Sequence, residues 1–280
     1  MTELPAVSAL TSLRGTTAAI AGPALAGVCI ATLGLPFAYG VDAATYAISL
    51  FALDAIRSIP PAGGARAVGF SSIMEGIAYA ASRPELIGTY LVDLIALTCA
   101  MPMAVFPALA AHWGGPRAIG YLYSAMSVGA FGITLVSGWT RKVQRRGAAV
   151  VIAAMLWGVA IMALGYSKTL PAAIACLVFA GAADMVSGLF RMTIWNETIP
   201  SRLRGRLAAI EQLSYMSGPL LGNVRAGFMA ERFGLARSIT WGGLACVAGV
   251  IACVPILPAF WRYRRSEAGI CEDTVKPQVD

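Results

Sequence analysis

The sequence predicts an all-α polytopic membrane protein, and three features indicate this class. Hydrophobic residues make up 58% of the 280 residues, charged residues only 12%, and the mean hydropathy is +0.72. A soluble domain carries about 25% charged residues. This composition excludes a soluble enzyme, a disordered chain and a small disulfide-bonded secreted protein. The long unbroken apolar runs indicate helices, because a membrane β-barrel alternates apolar and polar residues in segments of about 10.

Eight apolar segments are predicted to cross the bilayer, which requires roughly 20 mainly apolar residues for each helix. We predict the spans at about 17–33, 37–56, 86–110, 117–141, 146–168, 170–195, 207–230 and 237–262. Residues 71–82 lie between the second and third spans and are too short to cross. Their apolar residues Ile73, Ile77 and Ala80 recur at helical spacing, which predicts an amphipathic helix on the inner membrane surface.

The basic residues alternate between the two sides of this arrangement. Of the 21 Lys and Arg residues, 15 fall on the side of Met1 and 4 on the opposite side, while Arg191 and Arg225 lie within spans. Cytoplasmic loops of membrane proteins carry the excess of positive charge. We therefore predict that both termini are cytoplasmic.

A short internal repeat indicates how the spans are organised. Gly22 and Pro23 in the first span match Gly218 and Pro219 in the seventh, and small or apolar residues follow in both. Six helices separate the copies, which is the spacing of parallel repeats in twelve-helix transporters. The interpretation divides the chain into the last two helices of one half (1–56), a cytoplasmic linker (57–85), a complete six-helix half (86–262) and a cytoplasmic tail (263–280). Close packing of small residues is the alternative explanation of the match.

Several ordered stretches resemble one transporter family. They are residues 22–27 (GPALAG), 41–46 (VDAATY), 75–79 (EGIAY), 101–102 with 106–107 (MP and FP), 137–139 (SGW), 198–200 with 204–206 (TIP and RGR) and 217–219 (SGP). In this order and spacing the chain resembles the major facilitator superfamily, in its enterobactin-exporter-like branch. The resemblance implies helices 5–12 of the twelve-helix fold, with the first four helices of the family without counterpart. It also implies proton-driven export of small organic molecules, such as siderophores or drugs, across the cell inner membrane.

The resemblance extends to an inner-loop motif between the fourth and fifth spans. The family carries a Gly-x-x-x-Asp-Arg-x-Gly-like sequence in this loop, where it acts as a conformational latch. Here Gln144 stands about where an acid is usual, so the latch is incomplete. The residues that match the motif are Gly138, Arg141, Arg145, Arg146 and Gly147.

Four charged residues lie deep within the predicted spans and are functional candidates, because a charge at mid-bilayer costs about 2.5–3.5 kcal/mol on insertion scales. At a rise of about 1.5 Å per residue, Arg191 and Glu211 both lie about 30 Å from the outer ends. We predict that they form an ion pair, either a static tether or an inner gate. Asp93 and Asp184 lie near the middle, where a buried carboxyl group could carry the proton of a proton-coupled exporter. Hydrogen bonding to a polar cavity is the alternative for Asp184.

Two further features concern helix geometry. Pro219 and Pro23 are expected to kink their helices, since proline removes a backbone hydrogen bond. Gly218 and Gly222 form a Gly-x-x-x-Gly pattern that permits close helix approach. These positions are either rocking points or sites of close packing alone. Arg225, about 8 Å from the outer end of its span, is expected to be structural and to extend toward the membrane surface.

The sequence argues against other classes of function. Five of the six cysteines lie in apolar runs, and no Cys-x-x-Cys or Cys/His cluster occurs, so we expect no metal site and no cofactor. The basic residues lie in short clusters that border the apolar runs, which is the pattern of a membrane protein and argues against a nucleic-acid partner. No catalytic residues are apparent, so an enzyme is not expected. The expected partners are the lipid bilayer, protons and a small-molecule substrate. The alternative is a non-transporting membrane remnant, or a subunit that needs a partner chain.

Overall fold

The computed structural model describes residues 18, 22, 25, 26, 28–30, 32–54, 70–200 and 203–264. Within these residues, every regular element is a helix. The α-helices are α1 (Leu35–Asp54), α2 (Phe70–Ala81), α3 (Pro84–Ala100), α4 (Phe106–Ala111), α5 (Pro116–Leu135), α6 (Arg146–Leu164), α7 (Leu170–Thr198), α8 (Arg204–Phe233), α9 (Leu235–Ile256) and α10 (Pro258–Trp261). Two 3-10 segments, Met103–Val105 and Ser137–Lys142, follow α3 and α5.

Five helical segments of the described chain are long and apolar enough to cross a membrane, so the chain is a multi-pass membrane protein. They are Pro84–Ala111, Pro116–Leu135, Arg146–Leu164, Leu170–Thr198 and Leu235–Ile256. They correspond to the predicted spans 86–110, 117–141, 146–168, 170–195 and 237–262.

The other three predicted spans do not reach that standard in the described residues. Helix α1 covers most of the predicted span 37–56 and contains two aspartates, and α8 covers the span 207–230 and contains Glu211 and Arg225; neither is among the five. Most of the predicted span 17–33 lies outside the described residues. Eight spans therefore remain a prediction. The short helix expected at 71–82 is present as α2, Phe70–Ala81.

Helices α3 and α5–α9 form the core of the bundle. Helix α7 packs against α5 and α6, whereas α8 packs mainly against α3 and α9. The core is filled by fully buried side chains from these helices, including Leu122, Ile161, Leu177 and Ile239. Chain neighbours α7 and α8 are therefore not the principal packing partners of each other, and α3 contacts both.

Glycines let α5 and α7 approach until their backbones touch. A Cβ atom on Gly129 of α5 would meet the carbonyl oxygen of Val178, and one on Gly181 of α7 would meet that of Met126. Such small-residue contacts are a principal source of helix association in membranes, where lipid and apolar side chains are equally hydrophobic. Gly132, one turn after Gly129, has no atom within 4 Å of such a Cβ.

The C-terminal helix α10 is held at the predicted inner end of the bundle. Arg146, at the start of α6, is buried and forms an ion pair with Glu197 of α7. The Tyr263 hydroxyl donates to Glu197 Oε2 (3.3 Å), and the Gly147 N–H donates to the Tyr263 carbonyl (3.4 Å). Burial raises the pKa of Tyr263, which keeps this hydroxyl protonated as the donor. These contacts join α6, α7 and the end of α10.

Helix α1 differs from the bundle because none of its residues is buried. Large apolar side chains along it are exposed, and Phe51 has 77% of its surface accessible. Helix α8 also has a row of exposed apolar side chains on one face, from Leu213 to Phe228. In the described part of the chain, these two apolar surfaces have no protein cover. The division into two half-domains and a linker stays a prediction.

The predicted topology can be tested at the two ends of α6. A reporter fused after Arg145 is expected to remain in the cytoplasm, and one fused after Lys168 to be translocated, because α6 crosses once between a basic loop and an outer loop. Paired alkaline phosphatase and fluorescent-protein fusions measure this directly. Translocation of the Arg145 fusion would contradict the assigned orientation.

The α5–α7 contact predicts opposite effects for two glycines in the same helix. Gly129→Ala is expected to lower stability by about 1–3 kcal/mol, because the added methyl group collides with the α7 backbone. Gly132→Ala is the matched control and should be neutral or slightly stabilising, since alanine favours helix formation. Thermal unfolding of the detergent-solubilised protein checks both, and equal behaviour of the two variants would contradict the contact.

Candidate functional site

A cavity of about 410 Å³ lies between α3, α7 and α8. This volume lies in the range of about 300–1,000 Å³ that is typical of small-molecule sites. Its lining residues are Thr89, Tyr90 and Asp93 from α3, Met185, Gly188, Leu189, Arg191, Met192 and Trp195 from α7, and Glu211, Gln212 and Tyr215 from α8. The lining combines apolar and aromatic surface with three charged groups.

An ion pair joins α3 to α7 in the wall of this cavity. Arg191 Nη1 lies 2.5 Å from Asp93 Oδ1, and the two side chains are only 15% and 8% exposed. Removing two charges from water is costly, and their mutual attraction compensates only while both remain in contact. The pair therefore links the two helices, and loss of either charge would leave the other buried without a counter-charge.

The predicted pairing of Arg191 with Glu211 is not the one found in the described structure. Among the described residues, the ion pair of Arg191 is with Asp93, while Glu211 lines the same cavity from α8. The prediction matched residues by depth and assumed that consecutive helices are neighbours. Because α3 packs beside both α7 and α8, a residue from an earlier span reaches Arg191.

Asp184 lies on α7 two turns before Arg191 and on the same face of the helix. It is half-buried, does not line the cavity, and makes no hydrogen bond or ion pair within the described residues. The structure thus places Asp93 in the site and Asp184 beside it. The proton-carrying role of either residue stays a prediction.

Two aromatic side chains of the cavity were not expected from the sequence. Tyr90 and Trp195 make an edge-to-face contact with ring centroids 6.3 Å apart. The Tyr90 hydroxyl, the Trp195 Nε1–H and the Arg191 Nε–H are buried and have no hydrogen-bond partner in the described structure. An unsatisfied buried polar group costs about 1–3 kcal/mol. The only sequence feature that could have identified Tyr90 and Trp195 was their polar groups, which lie in apolar spans that also contain Asp93 and Arg191.

The predicted packing glycines lie where α8 meets α3. A Cβ on Gly222 would collide with Leu97 and Met101, and one on Gly218 would press on Leu97. Pro219 lies inside α8 between them. In the first predicted span, Gly22 has no atom within 4 Å of a Cβ, and Pro23 lies outside the described residues.

The inner-loop motif is divided between surface and core. Gly138 and Arg145 are exposed, whereas Arg146 and Gly147 are buried at the start of α6 and contact Glu197 and the end of α10. The backbone of Arg141 belongs to the 3-10 segment. Arg146 therefore pairs with an acid, Glu197 of α7, that lies outside the local sequence.

These features can be set beside known proteins. Residues 1–270 match the family model described as "Transmembrane secretion effector" (MFS_3). The chain belongs to this family. The family is of the major facilitator type, which confirms the resemblance seen in the sequence. Its members are transporters rather than enzymes.

Curated relatives agree with this membership. The chain is 25% identical over 264 residues to the enterobactin exporter EntS of Citrobacter koseri, and 24% identical over 265 residues to those of Shigella boydii serotype 18 and Escherichia coli O1:K1 / APEC. Each match covers 94% of this chain and 64% of the relative. The chain thus spans less than two thirds of the length of these relatives. No solved structure matches the chain.

The chemistry available at the cavity is that of charge and hydrogen bonding. Within the described residues, no group of three His, Cys, Asp or Glu side chains is placed to hold a metal ion. The cavity offers one ion pair, one further carboxyl group and three unpaired hydrogen-bond donors. Such a site suits the binding of a small polar molecule and the uptake or release of a proton.

The buried ion pair predicts a non-additive pattern of stability. Arg191→Met is expected to cost about 3–5 kcal/mol, because it leaves the Asp93 carboxylate buried without a counter-charge. The double variant Asp93→Asn/Arg191→Met should recover most of this loss, since no charge remains unpaired. Thermal unfolding in detergent measures both, with Arg237→Met as the control for an exposed arginine. A double variant as unstable as Arg191→Met would contradict the pairing.

Proposed function

We propose that the chain acts in proton-coupled export of small organic molecules, and that the cavity between α3, α7 and α8 forms part of the export path. The observation that carries the proposal is the Asp93–Arg191 ion pair in the wall of a cavity of ligand size. Family membership supports secretion as the direction of transport. The printed names of the relatives make siderophores the first substrates to test.

The geometry supports a specific coupling step. Protonation of Asp93 removes its negative charge and weakens its hold on Arg191, which would otherwise remain a buried unpaired cation. Glu211 lines the same cavity from α8 and is the alternative carboxylate for Arg191. Transfer of Arg191 from Asp93 to Glu211 would loosen α7 from α3 and draw it toward α8. In this scheme Arg191 and Glu211 form the gate pair in the second state of the cavity, and Asp184 is a further proton carrier beside it.

The topology follows from the same proposal. Eight spans in the cell inner membrane, with both termini cytoplasmic, place the Arg146–Glu197 pair at the inner end. There Gly138, Arg141, Arg145, Arg146 and Gly147 form the inner-loop latch, with Glu197 as its acid. Pro23 and Pro219, together with Gly22, Gly218 and Gly222, are the rocking points of the two matching segments.

A second candidate function is that of a membrane subunit that transports only with a partner chain. The apolar surfaces of α1 and α8, which have no protein cover within the described residues, favour it because a partner chain could pack on them. The partner would supply the helices that face α8 across the cavity. A remnant without transport activity is the limiting case of this candidate.

Everted membrane vesicles test the proposal. Vesicles that contain the chain are expected to accumulate at least one compound of a siderophore and drug panel when a pH gradient is imposed. This accumulation should stop when the pH gradient is collapsed. Asp93→Asn should reduce accumulation to the level of vesicles without the protein, because the exchangeable charge is gone. Glu231→Gln, an exposed acid on the same protein, is the control and should transport normally.

The outcomes separate the two candidates. Accumulation that persists in Asp93→Asn with unchanged dependence on the pH gradient would overturn the coupling role. If the chain alone accumulates nothing, but does so when co-expressed with the first four helices of an enterobactin-exporter relative, the subunit function is favoured.

A further inference from the structure

The span Pro84–Ala111 is interrupted between α3 and α4, and the interruption leaves backbone groups without helical partners. Pro102 has no N–H, so the Thr98 carbonyl lacks the donor that a helix provides four residues later. The Ala104 N–H likewise lies beyond the end of α3, in the 3-10 segment Met103–Val105. An unsatisfied backbone group inside a bilayer costs several kcal/mol, so these groups need partners from elsewhere.

Side chains from neighbouring helices provide those partners. Arg225 of α8 donates from Nε to the Thr98 carbonyl (3.2 Å), and the Asn223 Oδ1 accepts from the Ala104 N–H (3.0 Å). From α5, the Tyr123 hydroxyl donates to the Met103 carbonyl (3.2 Å). Two of the three bonds therefore come from a single stretch of α8, three residues long.

Arg225 is held in place by hydrogen bonds and does not extend freely to the membrane surface. Its Nη1 donates to the Ser238 carbonyl of α9 (3.3 Å) and contacts the Met229 sulfur (3.4 Å). Gly242 leaves the space for the guanidinium, since a Cβ there would lie 2.6 Å from Nη2. Within the described residues, no carboxylate pairs with Arg225, so backbone carbonyls at the α3 break and on α9 hold its charge.

Helix α8 carries both this contact and one wall of the charged cavity. Glu211, Gln212 and Tyr215 line the cavity, and Arg225 lies 14 residues after Glu211, about 21 Å along the helix axis. Gly218 and Gly222, between the two sites, pack directly on Leu97 of α3. The same continuous helix, Arg204–Phe233, thus touches the cavity at one end and the break at the other.

We propose that Asn223 and Arg225 are positioning residues that fix the outer segment Met103–Ala111 to α8, so that a displacement of α8 at the cavity carries this segment with it. The proposed use of this linkage in transport rests on the proposed function. The linkage itself is a property of the described chain and is measurable without transport.

Amide hydrogen exchange of the purified chain in lipid nanodiscs tests the bonds. Asn223→Leu and Arg225→Met are each expected to speed exchange over residues 103–111 about tenfold, equivalent to about 1.4 kcal/mol. Asn223→Asp keeps an acceptor oxygen and should exchange like the unmodified protein. Arg232→Met, an exposed arginine on the same helix, is the matched control, and exchange over Arg146–Leu164 reports global stability. Should Arg225→Met not fold, Arg225→Lys loses the planar fork that bonds two carbonyls and should loosen the same residues.

A distance measurement tests the linkage. Spin labels are placed at Ala108 of α4 and Phe228 of α8, both of which are exposed. The distribution of distances between them should be narrow and should not change in Asp93→Asn. In the same variant, the distance between labels at Ala108 and at Leu94 of α3 should shift. The Ala108–Phe228 distribution should broaden in Asn223→Leu/Arg225→Met.

The opposite results would overturn the inference. They are equal exchange in Asn223→Leu and Asn223→Asp, or an Ala108–Phe228 distribution that the double variant leaves unchanged. Absence of transport by the chain would contradict the proposed function and leave both of these measurements interpretable.

Discussion

A lipid bilayer supplies no water to the polar groups inside it, and this constraint accounts for the most specific contacts of the chain. A buried charge or interrupted backbone group either bonds to a side chain from another helix or lowers the stability of the fold by lacking a partner. Asp93 is paired with Arg191 and Arg146 with Glu197, and the interrupted span Pro84–Ala111 is bonded by Asn223, Arg225 and Tyr123. These bonds fix the position of each helix along its neighbours, which apolar packing alone would not specify.

The same constraint gives the cavity its functional character. A buried ion pair contributes little net stability, because desolvation offsets the attraction, but losing one partner is expensive. In the proposed function, the Asp93–Arg191 pair is therefore a contact with two states that a proton selects between. The unpaired donors of Tyr90, Trp195 and Arg191 indicate that the cavity wall has hydrogen-bonding capacity not used in this structure.

Helix α8 is the element that relates these features to each other. It is among the least apolar of the long helices, and three of its polar residues make different contacts. Glu211 lines the cavity, Asn223 bonds the break between α3 and α4, and Arg225 bonds both this break and α9. Its glycines press on α3, while its opposite face is apolar and uncovered in the described chain.

Composition, hydropathy and motif order were sufficient to determine the all-helical membrane class, the family and five of the spans. These properties depend on local sequence, since a helix needs a certain length of apolar residues whatever surrounds it. The partner of Arg191, the partner of Arg146 and the bonds of Arg225 required the tertiary structure. Each depends on which helices are neighbours and which faces they turn to one another, and chain order does not specify this: α3 lies beside both α7 and α8, so Asp93 rather than Glu211 reaches Arg191.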